Sequence, residues 1–235
     1  MRAPAPSVLH RDADLLVIAK PAGLPTTSPD GKNCLAHVVA TRLDPGAPHA
    51  HPSSRLDRDV TGVVIFARTD RGIRALLDAR AAGSYERRYR AIVTPPPAEA
   101  SGEWSWGIAI DPRDPRLRVA LDPGASGERA QDARSSFTVL ERWVGCALLE
   151  VQPHTGRTHQ IRVHCARAGS PIVGDTSYGG GRRVTLADGR VLHAPRVMLH
   201  CASVSVAGMG RWEAPLPEDF AALLGSLRAA GPPNA

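Results

Sequence analysis

Asp57 stands in a crowded charge run, Arg55-Leu56-Asp57-Arg58-Asp59, which turns at Thr61-Gly62 and enters the apolar stretch Val63-Val64-Ile65-Phe66-Ala67. A short apolar run rich in β-branched residues reads as a buried strand. Charges crowded at the entrance of such a strand sit on a rigid platform, and two guanidinium groups favour the ionised form of the carboxylate between them. Composition alone supports a plainer reading as well, a solvated run of surface charges that contributes little. A second group of reactive side chains lies downstream, in His154-Thr155-Gly156-Arg157-Thr158-His159-Gln160-Ile161-Arg162-Val163-His164. Its histidines recur every fifth residue. On a helix that step turns about 140° per pair, so they share no face and make a poor metal site.

The elements that must hold these residues follow from the pattern of the chain. Strands are expected at Val8 to Arg11, Asp14 to Lys20, Val63 to Ala67 and Tyr85 to Val93. Further strands are expected near Trp104 to Ile110, Leu117 to Leu121, Ser136 to Trp143, Ala147 to Gln152, Pro171 to Asp175 and Arg196 to Val206. Helical spacing predicts Cys34 to Leu43 behind an Asn33 N-cap, a helix from Thr69 or Asp70 to Ala82 stopped by Gly83, Thr158 to Ala168 stopped by Gly169, and Ala222 to Ala230. In the second of these, Ile73, Leu76, Leu77 and Ala81 form the expected apolar face. Loops are expected at 21–33 and 44–54, and a mobile loop or insertion within 98–133. The tail from Gly231 is expected to fray. Strands and helices alternate without a regular βαβ order, which predicts an α+β fold on a mixed, largely antiparallel sheet.

Length and composition bound the function. A chain of 235 residues can bury a sizeable core. The four cysteines, Cys34, Cys146, Cys165 and Cys201, are scattered with no C-x-x-C, which fits buried free thiols in a reducing cytosol. The longest apolar runs are far too short to span a bilayer, and residues 1–7 lack the apolar core of a signal peptide. A cytoplasmic protein without membrane association is expected. The net charge is +6 and the only lysines are Lys20 and Lys32, so arginine carries the excess. Arginine suits phosphate and base recognition, although a GC-rich genome also favours Arg together with Ala, Gly and Pro.

Four segments, in order, resemble the RluA-type pseudouridine synthases: Asp14-Leu15-Leu16-Val17-Ile18-Ala19-Lys20-Pro21-Ala22-Gly23, the Arg55 to Gly62 cluster, Arg88-Tyr89-Arg90-Ala91-Ile92-Val93, and Thr155 to His164 followed by Pro171-Ile172-Val173-Gly174-Asp175. The likeness runs from about residue 8 to residue 206. It departs from the family pattern at Ser54, where a His usually stands, and at Val60, in a Thr slot. No S4-like RNA-binding domain is expected ahead of it, so 1–235 is read as a single catalytic domain.

The resemblance implies the pseudouridine synthase fold, with a catalytic cleft across the sheet, and isomerisation of a uridine in ribosomal or transfer RNA after base flipping. Asp57 would be the catalytic carboxylate, either adding to C1′ or removing the C2′ proton. Arg162 would pair with it and orient it. Tyr89 would pack on the target base and help remove the C5 proton. Arg55 would fill the space of the flipped nucleotide. Arg58, Arg157, His159, Gln160 and Lys20 would contact RNA. No metal, nucleotide or other cofactor is implied, and structured RNA is the expected partner of a monomer with no obligate protein partner. Two other readings are a non-catalytic RNA-binding or remodelling protein on the same fold and, far weaker, a metal-dependent hydrolase built on the histidines.

Overall fold

Val63 to Phe66 are wholly buried, and the strand containing them is the natural starting point for the architecture. The computed structural model describes residues 5–47, 50–186 and 188–231. In chain order its elements begin with β1 (Ser7–Arg11), β2 (Leu15–Lys20), and a short helix α1 (Leu35–Val38) running into a π-helical turn (Val39–Leu43). β3 (His51–Pro52), β4 (Thr61–Ala67), α2 (Asp70–Ala81) and β5 (Tyr85–Val93) follow, then β6 (Ser101–Trp104), β7 (Gly107–Asp111), β8 (Asp114–Leu121), β9 (Ser135–Trp143) and β10 (Cys146–Pro153). Next come α3 (Gln160–Arg167), a 3-10 turn (Thr176–Tyr178), β11 (Arg183–Thr185), β12 (Val191–His193), β13 (Leu199–Val206), β14 (Gly210–Glu213) and α4 (Glu218–Ala229). The fold is α+β, with largely antiparallel strand pairing, as the sequence predicts.

These elements divide into two units. The first holds the described residues up to Arg87 together with His200–Pro217; the second holds Arg88–Leu199 and the described residues from Glu218 onward.

In the first unit β2 runs antiparallel to β4 and to β1. The other edge of β4 is shared: β3 pairs with its Ala67 end, and β13 pairs in parallel with its Thr61 end, His200 against Thr61 and Cys201 against Gly62. Gly62 takes φ +120, and a Cβ there would lie 2.1 Å from the Cys201 carbonyl oxygen, so only glycine permits this approach. Thr69 caps α2, its hydroxyl accepting from the Gly72 amide at 3.1 Å, and Gly83 ends the helical segment at φ +70. The buried residues of α2 are Gly72, Leu76 and Ala79; of the expected stripe Leu76 is buried and Ile73 half-buried, while Ala81 is exposed and Leu77 is 58% exposed. The reason is steric. At Gly72 a Cβ would meet the Asp14 carbonyl oxygen at 2.6 Å, so the small residues mark the side that packs.

Asn33 is not the N-cap of α1. It adopts φ +52, and Cys34 occupies the cap position in an extended conformation. The first helical amides are satisfied by the loop instead, Leu35 N–H by the Pro25 carbonyl at 2.8 Å and Ala36 N–H by that of Thr26 at 3.0 Å. Residues 44–54 are not all loop, since β3 forms within them; Pro48 and His49 lie outside the described residues.

In the second unit β10 pairs with β5 on one side and β9 on the other, and β6 borders β9. The β9–β10 hairpin turns at Val144-Gly145, with Gly145 at φ +75. The segment expected to be one strand from Trp104 to Ile110 is two, broken at Ser105-Trp106. β7 then forms a hairpin with β8, so residues 98–133 contain ordered strands. Ile108, Ala133 and Val163 pack together with Ala120 and Tyr178, which seats α3 on that hairpin. Helix α3 begins at Gln160, two residues later than predicted, because His159 adopts φ +57. Pro171 to Asp175 is not a strand. It makes one bridge, Val93 to Ile172, before Gly174 turns the chain at φ +81. β13 begins three residues later than expected, and α4 starts at Glu218, four residues early. β11, β12 and β14 have no counterpart in the sequence reading. The tail from Pro232 lies outside the described residues.

Candidate functional site

The Asp57 segment is irregular backbone held from several sides. Thr26, 1% exposed, brackets Leu56: its hydroxyl donates to the Leu56 carbonyl at 3.0 Å and accepts from the Leu56 amide at 2.9 Å. The buried Lys20 ammonium donates to the Arg58 carbonyl at 3.1 Å, as well as to the carbonyls of Pro21 and Leu24 at 2.9 and 2.6 Å. Val60 N–H closes a turn on the Asp57 carbonyl at 3.2 Å. Upstream, Arg80 donates to the Ser53 carbonyl and lies over the Tyr85 ring, 4.1 Å from its centroid, while the Tyr85 hydroxyl bonds Ser53 Oγ at 2.8 Å. The half-buried Asp57 is thereby fixed by its neighbours' backbone, with Arg55 and Arg58 exposed on either side.

Tyr89 sits on β5 at 5% exposure. The residues beside it, Arg88 and Arg90, point to the opposite face by the strand's alternation. Both converge on Glu150 of β10, Arg88 Nη1 donating to Oε1 at 2.7 Å and Arg90 Nη1 to Oε2. Burial alone would push Glu150 up; the guanidinium groups of Arg90 and Arg88 outweigh it and hold the carboxyl below its ordinary value.

Ahead of α3, Gln160 is the hub of its turn. Its Oε1 accepts from Thr155 Oγ1 at 2.7 Å and from Arg157 N–H at 3.0 Å, and its Nε2 donates to the Arg134 carbonyl and Ser135 Oγ, both at 2.9 Å. At 4% exposure it is buried within that turn. Lys20 is likewise buried, at 2% exposure, and donates to the carbonyls of Pro21, Leu24 and Arg58. Arg157 donates from Nε to the Asp132 carbonyl at 2.9 Å, and His159 Nδ1 lies 2.7 Å from the Tyr178 hydroxyl.

Arg162 has a partner the sequence reading did not name. Its Nε and Nη2 donate to the two carboxylate oxygens of Asp175, each at 2.7 Å, and its guanidinium lies 4.8 Å from the centroid of the Tyr178 ring. Such a forked contact fixes direction as well as charge. Sequence reasoning missed four supporting residues. Asp175 lies within the last quoted motif, where the pattern predicts only a strand end. Thr26 and Glu150 carry no local signal of their long-range bonds, and Tyr178 falls in a Gly-rich turn.

The histidines do separate work. His154 Nε2 meets Ser136 Oγ at 3.0 Å, while the fully buried His164 bonds Ser135 Oγ and the Trp106 carbonyl. Among the described residues no cluster of His, Cys, Asp and Glu could hold a metal ion. All four cysteines are buried, and none forms a disulfide. Burial pushes the Cys146 thiol up to about 11 and Cys165 higher still, which leaves both as poor nucleophiles. No helix among the described residues is long and apolar enough to cross a membrane.

Residues 14–167 match the family model described as RNA pseudouridylate synthase. An uncharacterized RNA pseudouridine synthase of Chloroflexus aurantiacus is 39% identical over 196 residues, covering 81% of this chain and 56% of that protein. The chain thus spans little more than half the length of that relative. Ribosomal large subunit pseudouridine synthase D of Xanthomonas campestris is 37% identical over 238 residues, covering 94% of this chain and 69% of the relative. Among solved structures, human RNA Pseudouridylate Synthase Domain Containing 4 superposes with a TM-score of 0.75 at 25% identity, covering 94% of this chain and 93% of the other.

Proposed function

The chain belongs to the RNA pseudouridylate synthase family, and from that premise we propose that it isomerises a specific uridine of ribosomal or transfer RNA to pseudouridine, with Asp57 as the catalytic carboxylate. The observation that carries this reading is the mounting of Asp57. A half-buried carboxylate on a segment clamped at Leu56 and Arg58 is what a reaction at a sugar carbon requires.

The reaction breaks the bond from N1 to C1′, turns the freed uracil and joins C5 to C1′; C5 gives up its proton and N1 takes one up, so the sum is an isomerisation. Asp57 assists by adding to C1′ or by removing the C2′ proton to give a glycal; both routes use one ionised carboxylate. Tyr89 packs on the base and assists removal of the C5 proton. Arg162, gripped by Asp175 and backed by Tyr178, supplies a fixed positive charge to the site. Arg55, exposed beside Asp57, enters the RNA stack in place of the flipped nucleotide, offsetting part of a flipping cost of a few kcal/mol. Arg58, Arg157 and His159 contact the RNA.

The direct test is incubation of the protein with large-subunit ribosomal RNA and, separately, bulk transfer RNA, followed by mapping of pseudouridine as base-resistant carbodiimide adducts. Site-specific adducts with the wild type and none with Asp57→Asn support the proposal. RNA that is bound but never modified returns the chain to the non-catalytic reading.

A further inference from the structure

Beside the Asp57 segment, and within the same unit, a cleft of about 850 Å³ lies between the 23–33 loop and the α1 helix with its π-turn. The geometry points to a binding site there for the phosphodiester backbone of the RNA strand adjoining the target uridine. This rests on the proposed action on RNA and extends it from the reacting nucleotide to its neighbours.

Charge is the first support. Lys32, Arg42 and Arg58 line the cleft together with His37, against one carboxylate, Asp30. Asp30 is engaged by its own loop, through the Ser28 side chain and the Lys32 amide, and these bonds hold its carboxyl below the ordinary range. Lys32, Arg42 and Arg58 are exposed, and among the described residues none of their side chains forms an ion pair with a carboxylate. Many arginines elsewhere in the chain are ion-paired, Arg68 with Asp44 and Arg196 with Asp219 among them. The cleft therefore keeps positive charge that other parts of the molecule neutralise internally, and a polyanion is the ligand that complements it.

Shape is the second. The helix wall is built by the π-turn, in which the Asp44 amide reaches back five residues to the Val39 carbonyl at 2.8 Å. Such wide turns recur at functional sites. His37, Val38, Thr41 and Arg42 all line the cleft from this one wall, so a single helix face presents Arg42 and His37 together. The opposite wall is a turn closed by Gly31 N–H on the Ser28 carbonyl at 3.1 Å, and it presents Lys32. Arg58 links the cleft to the site, because it lines the one and follows Asp57 directly, its carbonyl fixed by Lys20. The volume falls within the range for ligand sites of roughly 300–1,000 Å³ and admits more than one nucleotide's phosphate and sugar.

The test is the salt dependence of RNA binding, which needs no turnover. A fluorescein-labelled uridine-rich RNA oligonucleotide is titrated with wild type, with Lys32→Gln/Arg42→Gln, and with Arg74→Gln, a variant of an exposed arginine on α2 that lines no part of the cleft. Each phosphate contact to a single strand contributes about 0.7 to the slope of log K against log salt. The double variant is expected to lower that slope by about 1.4 and to weaken binding at least tenfold at low salt, with Arg74→Gln unchanged. In turnover assays it should raise KM for RNA and leave kcat at saturating RNA near normal. An unchanged slope in the double variant, or an equal loss in Arg74→Gln, overturns the proposal. Displacement of the oligonucleotide by inorganic phosphate or uridine monophosphate, beyond that by chloride of equal ionic strength, would assign the cleft to a small phosphate ligand and also overturn it. Failure of the catalytic reading looks different: no pseudouridine from the wild type, whatever the binding slopes.

Discussion

Arg162 holds Asp175 by a fork, Nε to Oδ2 and Nη2 to Oδ1, both at 2.7 Å, and Asp175 is 1% exposed. The Asp175 side chain thus has its charge matched inside the fold. Asp175→Asn keeps the shape but removes the charge, and breaking such a pair should cost about 3–5 kcal/mol of stability, read as a lower urea midpoint. Arg162→Met should lose comparable stability and nearly all turnover. Arg162→Lys should retain part of both, since it keeps the charge and loses one contact of the fork. Near-normal turnover in Arg162→Met would remove this residue from the active centre.

Asp57→Asn should fold normally and bind RNA with wild-type affinity, because the amide has the same shape and lies on the same clamped segment. It is a poor nucleophile and a poor base, so turnover should vanish. Residual activity within tenfold of wild type, about 1.4 kcal/mol in barrier, would place the chemistry elsewhere.

Thr26 acts through Leu56, so its substitution separates positioning from chemistry. Thr26→Val keeps the volume but leaves the buried amide and carbonyl of Leu56 without the hydroxyl, at a cost of about 2 kcal/mol or more. The expected result is a lower kcat with little change in KM for RNA, and recovery in Thr26→Ser. Equal loss in Val and Ser variants would mean that the methyl packing matters and the hydroxyl does not.

Glu150 gives the second unit an acid-sensitive joint. Its carboxyl is held below the ordinary 4.5 by Arg90 and Arg88 against the opposing effect of burial. A lowered folded-state value means the unfolded chain takes up the proton first as pH falls. The contribution is therefore complete above about 4.5 and is lost as pH drops through the lower folded value. Stability of wild type minus that of Glu150→Gln, measured by urea unfolding, should be flat from neutrality to about pH 5 and shrink below it. A difference that is constant down to pH 3 would show that the ion pairs do not contribute.

Several of these groups were visible in the sequence and others were not, for physical reasons. Local signals were legible: β4 from its apolar run, β5 residue for residue, the Thr69 cap, the Gly83 and Gly145 turns. Asp57, Tyr89 and Arg162 stood out by motif. Long-range hydrogen bonding was not legible. Nothing near Thr26 announces a bond to Leu56, thirty positions on, and nothing near Gln160 says that its amide is consumed by Arg134 and Ser135. The sequence pattern starts α3 two residues early because a left-handed residue at His159 has no glycine to mark it. Periodicity places Leu77 in the core because it counts apolar residues, whereas the packed side of α2 is chosen by how closely Gly72 approaches Asp14.

The parallel pairing of β13 with β4 has a consequence for the order of assembly. Thr61 and His200, whose side chains meet at 2.8 Å, are 139 positions apart. At roughly 5–20 residues per second of synthesis, the partner of the Thr61-Gly62 edge emerges about 7–28 s after that edge. During this interval β4 offers unpaired amides and carbonyls a few residues from Asp57, the kind of bare strand edge that recruits wrong partners. The nascent first unit is therefore a natural client for chaperones, and truncations upstream of His200 should yield aggregates in place of a smaller folded product.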